Sequence, residues 1–144
     1  MDEVDLRILE LLETNGRMTH EEIGRRLNLS RPAIHQRVSR LEQAGVIRGY
    51  HADINWSKAG QGIKALVMIN VKTSDFNKMM EQAATVQVPG LCIERCLRIT
   101  GKWCVMLQIR AQVTDQITAL HDQLLRIEGV TETFTILILQ SRPI

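Results

Sequence analysis

Ser30, Arg31, His35, Gln36, Ser39 and Arg40 are the side chains of this sequence best suited to a definite chemistry. Arginine can bind guanine bidentately in the major groove, and glutamine can do the same with adenine. Arginine and serine can also hold phosphate oxygens, which fixes position without reading sequence. Between these residues stand Ile34, Val38 and Leu41, spaced by four and three, so they share one face of a helix. The polar residues are left outside, near the end of the helix that recognition helices push into DNA. The pattern predicts a DNA-reading surface.

That helix carries its own start and stop signals. Ser30 is a good N-cap, Pro32 lies in the first turn where its missing N–H does no harm, and Gly45 follows Gln43-Ala44 as a left-handed terminator. Before it, Ile23 and Leu27 mark the inner face of a shorter helix opening at Thr19, and Asn28-Leu29-Ser30 makes the turn, with Leu29 free to plug a core. Gly24 costs about 1 kcal/mol relative to alanine in a helix interior, a penalty expected where two helices cross closely. Residues 19–47 thus read as a helix-turn-helix. An earlier helix over 5–14, with Leu6, Ile8, Leu9, Leu11 and Leu12 as its apolar stripe, supports the pair and ends at Asn15-Gly16.

Charge agrees locally. Over the first 60 residues nine basic side chains balance nine acidic ones, yet Arg25, Arg26, Arg31, Arg37, Arg40 and Arg48 face only Glu42 within their stretch. Asp2, Glu3, Asp5, Glu10 and Glu13 are expected on the opposite side, leaving a basic footprint for nucleic acid. The whole chain has 144 residues, a net charge of +2 and 44% hydrophobic residues, the make-up of a globular protein of one domain or two small ones. No apolar run approaches the roughly 20 residues of a membrane span. The acidic Met-Asp-Glu-Val-Asp start lacks a secretory layout, so a cytoplasmic location is expected.

Cys92, Cys96 and Cys104 lack the second ligand pair of a zinc site, and no histidine lies near them in sequence. They are expected to be structural thiols, with Cys92 and Cys96 on one strand face. No metal and no cofactor is expected.

Past residue 45 the pattern changes. The run 46–54 alternates loosely and reads as a strand leaving the first domain, and 55–62, with Gly60 and Gly62, reads as a hinge. The expected division is 1–50 for the helix-turn-helix domain, 51–62 for linker strand and hinge, and 63–144 for a second domain. In that domain a strand over 64–72 precedes an amphipathic helix over 75–86. Strands 91–100 and 103–110 meet at a Gly101-Lys102 turn, and a helix over 115–127 precedes a last strand over 130–139. The order is βαββαβ, the ferredoxin-like split unit, which makes the chain α+β. Both helices on one face leave the other sheet face bare. Val67, Ile69, Val71 and the run 134–139 are its candidates, and sheets stacked across a two-fold axis would cover it. RNA-binding sheets share this order but need aromatic platforms. This chain has five aromatic residues, none of them within 91–100.

The words Asp5-Leu-Arg-Ile-Leu-Glu-Leu-Leu12, Asn15-Gly-Arg-Met-Thr19, Ile23-Gly-Arg-Arg-Leu-Asn-Leu-Ser30, Arg37-Val-Ser-Arg-Leu-Glu42, Gly45-Val-Ile-Arg-Gly-Tyr50 and Gly129-Val-Thr-Glu-Thr-Phe-Thr135, in this order, resemble the Lrp/AsnC family of feast/famine transcriptional regulators. The resemblance covers essentially the whole chain. It implies a winged-type helix-turn-helix followed by a ligand-responsive βαββαβ domain. It further implies double-stranded DNA as partner, dimers that assemble into octamers, and a small-molecule effector, often an amino acid, bound between dimers. The effector residues it implies here are Gly101, Lys102, Trp103, Cys104, Thr133 and Thr135. Many family members carry an acid where Cys104 stands, so an effector's ammonium group would lose its charged partner. The sirohaem-decarboxylase group, which resembles these regulators, would need basic and histidine side chains around a porphyrin-sized pocket, and only His121 and Arg98 offer themselves. A metabolite sensor without DNA binding is the other alternative, and the arginine-rich helix opposes it. The expected protein is a regulator and not an enzyme.

Overall fold

The structure, a computed structural model, describes residues 1–144 and divides into two compact units, Met1–Ile54 and Asn55–Ile144. The first contains α1 (Glu3–Thr14), α2 (His20–Leu27) and α3 (Arg31–Gln43). Each start is set by a side-chain oxygen. Asp2 accepts from the Asp5 N–H at 2.9 Å while Asp5 accepts from the Asp2 N–H at 3.2 Å. Thr19 accepts from Glu22 N–H and Ser30 from Ala33 N–H. The reciprocal cap begins α1 at Glu3, two residues before the start expected at position 5. Ile8, Met18, Ile23, Ile34, Val38 and Leu41 form the core, with Leu27 and Leu29 packed at its rim.

Gly24 is required for a different reason from the one its position predicts. A Cβ there would stand 2.4 Å from the Leu29 carbonyl oxygen and 3.6 Å from the Ser30 carbonyl carbon, so the turn leading into α3 makes the closest approach. The Leu29 N–H returns to Gly24 O at 2.9 Å and locks that approach. At the far end of α3, Gly45 takes φ 73°, letting the Val46 and Ile47 N–H groups both reach Leu41 O.

The strand expected over 46–54 does not form. A strand exists only by pairing, and this segment has no ladder partner within the chain. The expected hinge over 55–62 is a series of turns, with Gln61 N–H on Trp56 O at 2.8 Å. Gln61 then donates to Gly90 O at 2.9 Å and accepts from Arg110 Nε at 2.7 Å, while the Arg110 guanidinium lies 3.8 Å from the Trp56 ring centre. Those contacts tie the turns to the second unit.

The second unit comprises β1 (Ile63–Val71), α4 (Phe76–Ala84), β2 (Leu91–Arg98), β3 (Val105–Ala111), α5 (Thr114–Leu125) and β4 (Val130–Leu137). The sheet order is β2-β3-β1-β4 with every pair antiparallel, the ferredoxin-like arrangement. Both helices bury Met79, Ala83, Ile117, Leu120 and Leu124 against one sheet face. That face carries Ala65, Val67, Ile69, Leu107 and Ile109, all fully buried. Val67 and Ile69 are therefore core residues. The bare face is the other one, where Leu66 and Met68 pair with Ile136 and Phe134 of β4 and with Gln108 and Met106 of β3. The central strands β1 and β3 hold no aromatic residue, so a stacking platform for RNA bases is lacking.

Two further local expectations change. A β-bulge between Ile93 and Arg95 inserts a residue into β2, so Cys92 pairs with Arg110 and Cys96 with Leu107. Those partners lie on opposite faces, and the two cysteines are separated by the sheet. The β2–β3 connection spans 99–104, closed by Ile99 N–H on Cys104 O at 3.0 Å, and is longer than the Gly101-Lys102 turn predicts. No helix is long and apolar enough to cross a membrane.

Candidate DNA interface and effector region

With Ile34, Val38 and Leu41 buried, α3 leaves Arg31, His35, Gln36 and Arg40 exposed and Ser39 half-buried. Ser30 uses one lone pair of its hydroxyl oxygen on the cap, which leaves the hydroxyl proton free to donate to an outside acceptor such as phosphate. Arg31, Arg40, Arg25 and Arg48 are exposed and make no ion pair within the chain. Arg26 is tied to Glu22 at 3.0 Å.

Arg37 leaves the basic footprint altogether. Its guanidinium meets Asp2 at 2.8 Å and Asp5 at 3.0 Å, so part of the acidic N-terminus lies against α3 instead of opposite it. The hydrogen bonds from Arg37 and from the Asp5 N–H, in that order, lower the Asp2 pKa to about 2. The carboxylates in turn raise the pKa of Arg37. The signal was present in the sequence: 34, 37, 38 and 41 together make the i, i+3, i+4, i+7 stripe of an inward face.

The expected effector residues do not form one cluster within a single chain. Gly101 and Lys102 are exposed in the 99–104 loop. Trp103 stacks on Phe134 with ring centres 5.7 Å apart, and Lys102 Nζ sits 5.6 Å from the Trp103 ring. Cys104 Sγ lies 3.5 Å from Asn70 Oδ1 and 4.0 Å from Val71 O, packed against the core. Thr133 and Thr135 pair with Ile69 and Val67 on the helix-facing side, and both hydroxyls contact His121 of α5. Burial lowers the His121 pKa, against a smaller opposing effect of Asp122. Arg98 is engaged elsewhere, 3.9 Å over the Phe76 ring. His121 and Arg98 thus have separate partners and build no common pocket.

A capped, arginine-bearing α3 closing a three-helix unit, followed by a ferredoxin-like unit, defines a helix-turn-helix DNA-binding protein with a regulatory domain. The chain belongs to the Lrp/AsnC family of transcriptional regulators. Residues 1–48 match the winged helix-turn-helix DNA-binding family and residues 64–142 the Lrp/AsnC ligand binding domain. The HTH-type transcriptional regulator LrpC of Bacillus subtilis is 33% identical over 117 residues, covering 81% of this chain and 78% of that protein. The solved structure of B. subtilis LrpC superimposes with a TM-score of 0.83 over 99% of this chain and 97% of its own, at 29% identity. A transcriptional regulator from Neisseria meningitidis, solved as a complex with L-Met, gives a TM-score of 0.83 at 26% identity, over 97% and 90% of the two chains.

Proposed function

We propose that two copies of this chain read the halves of a palindromic operator through α3, and that a small metabolite held by the second unit modulates the outcome. The carrying observation is the α3 surface: its apolar face is buried, Arg37 is locked inward, and Arg31, His35, Gln36 and Arg40 are left to solvent. In this reading residues 1–50 bind DNA, 51–62 connect, and 63–144 bind effector and assemble dimers towards octamers. The L-Met complex of the Neisseria relative supports an amino acid as the effector class. In this chain Cys104 offers no carboxylate to an ammonium group. A charge-assisted hydrogen bond contributes roughly 1.5–3 kcal/mol against about 1 for a neutral one, so ordinary amino acids bind weakly here.

The reading is tested by footprinting on the chain's own upstream region. Gln36→Ala is expected to weaken one base position by roughly 1–3 kcal/mol, whereas Arg40→Ala weakens all sequences more evenly and lowers the salt dependence. Equal loss on specific and random DNA for Gln36→Ala would remove its base-reading role. Calorimetry against the amino-acid set tests the effector half, and micromolar binding of any of them would show that Cys104 is no obstacle.

A further inference from the structure

The helix-turn-helix brings two imidazoles together on its surface. His20 is the first residue of α2, fixed by the Thr19 cap, and His35 lies on the exposed side of α3. Their Nδ1 atoms are 3.3 Å apart and their ring centres 5.2 Å apart. Two nitrogens bonded at about 2.05 Å to one tetrahedral zinc ion stand about 3.3 Å from each other. Each ring centre lies ~1.15 Å behind its nitrogen on the line of the bond, which places the centres of such a pair about 5.2 Å apart. A straight N–H···N hydrogen bond of the same length would set them at about 5.6 Å. At 5.2 Å the two rings meet at an angle, their planes tilted by 52°, and their separation is that of a shared-ion pair.

We propose that His20 and His35 form a two-nitrogen site for a late first-row divalent metal ion, zinc in particular. Imidazole nitrogen suits zinc, nickel and copper, and the metal binds the neutral ring. Ile23, Ile34 and Val38, all buried between the helices, hold both backbones in place, so little ordering is needed on binding. No third histidine, cysteine or carboxylate completes the set, so water fills the other positions. Such a site is exchangeable and differs from the closed four-ligand sites that hold a fold together. An occupied site would take the His35 Nδ1 away from DNA and add positive charge to the surface that carries Arg31 and Arg40. The proposal concerns metal binding alone and does not depend on the effector reading.

Calorimetry of the full chain with zinc chloride is the test, with His20→Gln as the site variant and His51→Gln as control. One zinc ion per chain is expected, with affinity falling roughly tenfold or more in His20→Gln and unchanged in His51→Gln. Ring-nitrogen NMR of the unmodified chain is the second measurement: zinc should move the Nδ1 signals of His20 and His35 and leave those of His51 and His121. No uptake up to roughly 100 µM zinc, or equal uptake by His20→Gln, would overturn the site and leave a plain imidazole hydrogen bond. Zinc-dependent shifts confined to His51 or His121 would overturn it as well.

Discussion

Arg37 shows how one side chain can match the charge pattern and still do another task. Its type and neighbourhood place it among six DNA-facing arginines, and its position on the 34–38–41 stripe turns it towards Asp2 and Asp5. The pairing has a pH signature. The Asp2 carboxyl is held at about 2, below its ordinary 3.8, so its contribution to stability is complete above that ordinary value and is lost as pH falls towards 2. Arg37→Gln should accordingly lower the melting temperature near neutrality, and the gap to the unmodified protein should close in acid. Melting curves from neutral pH to pH 2 check this, and a gap that stays constant would show that the pair contributes nothing through Asp2 ionisation. The effector residues follow the same logic: Thr133 and Thr135 were legible as hydroxyls on the last strand, but their alternation places them towards α5, where His121 occupies both.

Among the elements, the helices were the most legible and the strand faces the least. Caps and 3.6-residue periodicity are written locally, so α2 and α3 lie within a residue of their expected positions. In β1, Ala65-Leu-Val-Met-Ile69 is an unbroken apolar run, and alternation cannot say which set faces the helices. The smaller Ala65 and the β-branched Val67 and Ile69 fill the core, while Leu66 and Met68 take the other side. The bulge in β2 is invisible for a related reason: one extra residue reverses the faces after it, and no glycine marks the place. The turn of the helix-turn-helix makes the strongest claim on an element. Gly24→Ala improves helix propensity by about 1 kcal/mol, yet its methyl group meets backbone at 2.4 Å. Overpacking of this kind costs roughly 1–3 kcal/mol, and here the obstacle is a carbonyl that cannot rotate aside. Urea unfolding should therefore find Gly24→Ala destabilised, with DNA affinity reduced because the turn sets the angle between α2 and α3. An unchanged or raised midpoint would show that the turn can move.

For the molecule as a whole, the deciding feature is the bare sheet face. Phe134 is 51% exposed, Ile136 42% and Leu97 37%, and the strand register sets them beside Leu66, Met68 and Met106 on one surface. Part of the polar surface of the same face is paired internally: Glu94 accepts from Arg110 at 3.1 Å and from Gln108 at 3.1 Å. Burying that triad leaves its own charges paired, which removes part of the usual obstacle to covering such a surface, while Lys64 and Arg95 of the same face make no ion pair within the chain. Two such faces stacked about 10 Å apart would cover the apolar residues in pairs. Phe134→Asp tests this, because the ring is half exposed in the single chain, stacked on Trp103 and outside the buried core, so its loss should leave the fold intact. An unpaired carboxylate between two apolar sheets is costly to bury, so light scattering should find a smaller species than the unmodified protein forms. Affinity for a palindrome should fall with it, since reading two half-sites about 34 Å apart needs two recognition helices held together, while weak binding to a single half-site survives. If the unmodified chain is a monomer at working concentration, or if Phe134→Asp assembles as before, this face is not what joins the copies.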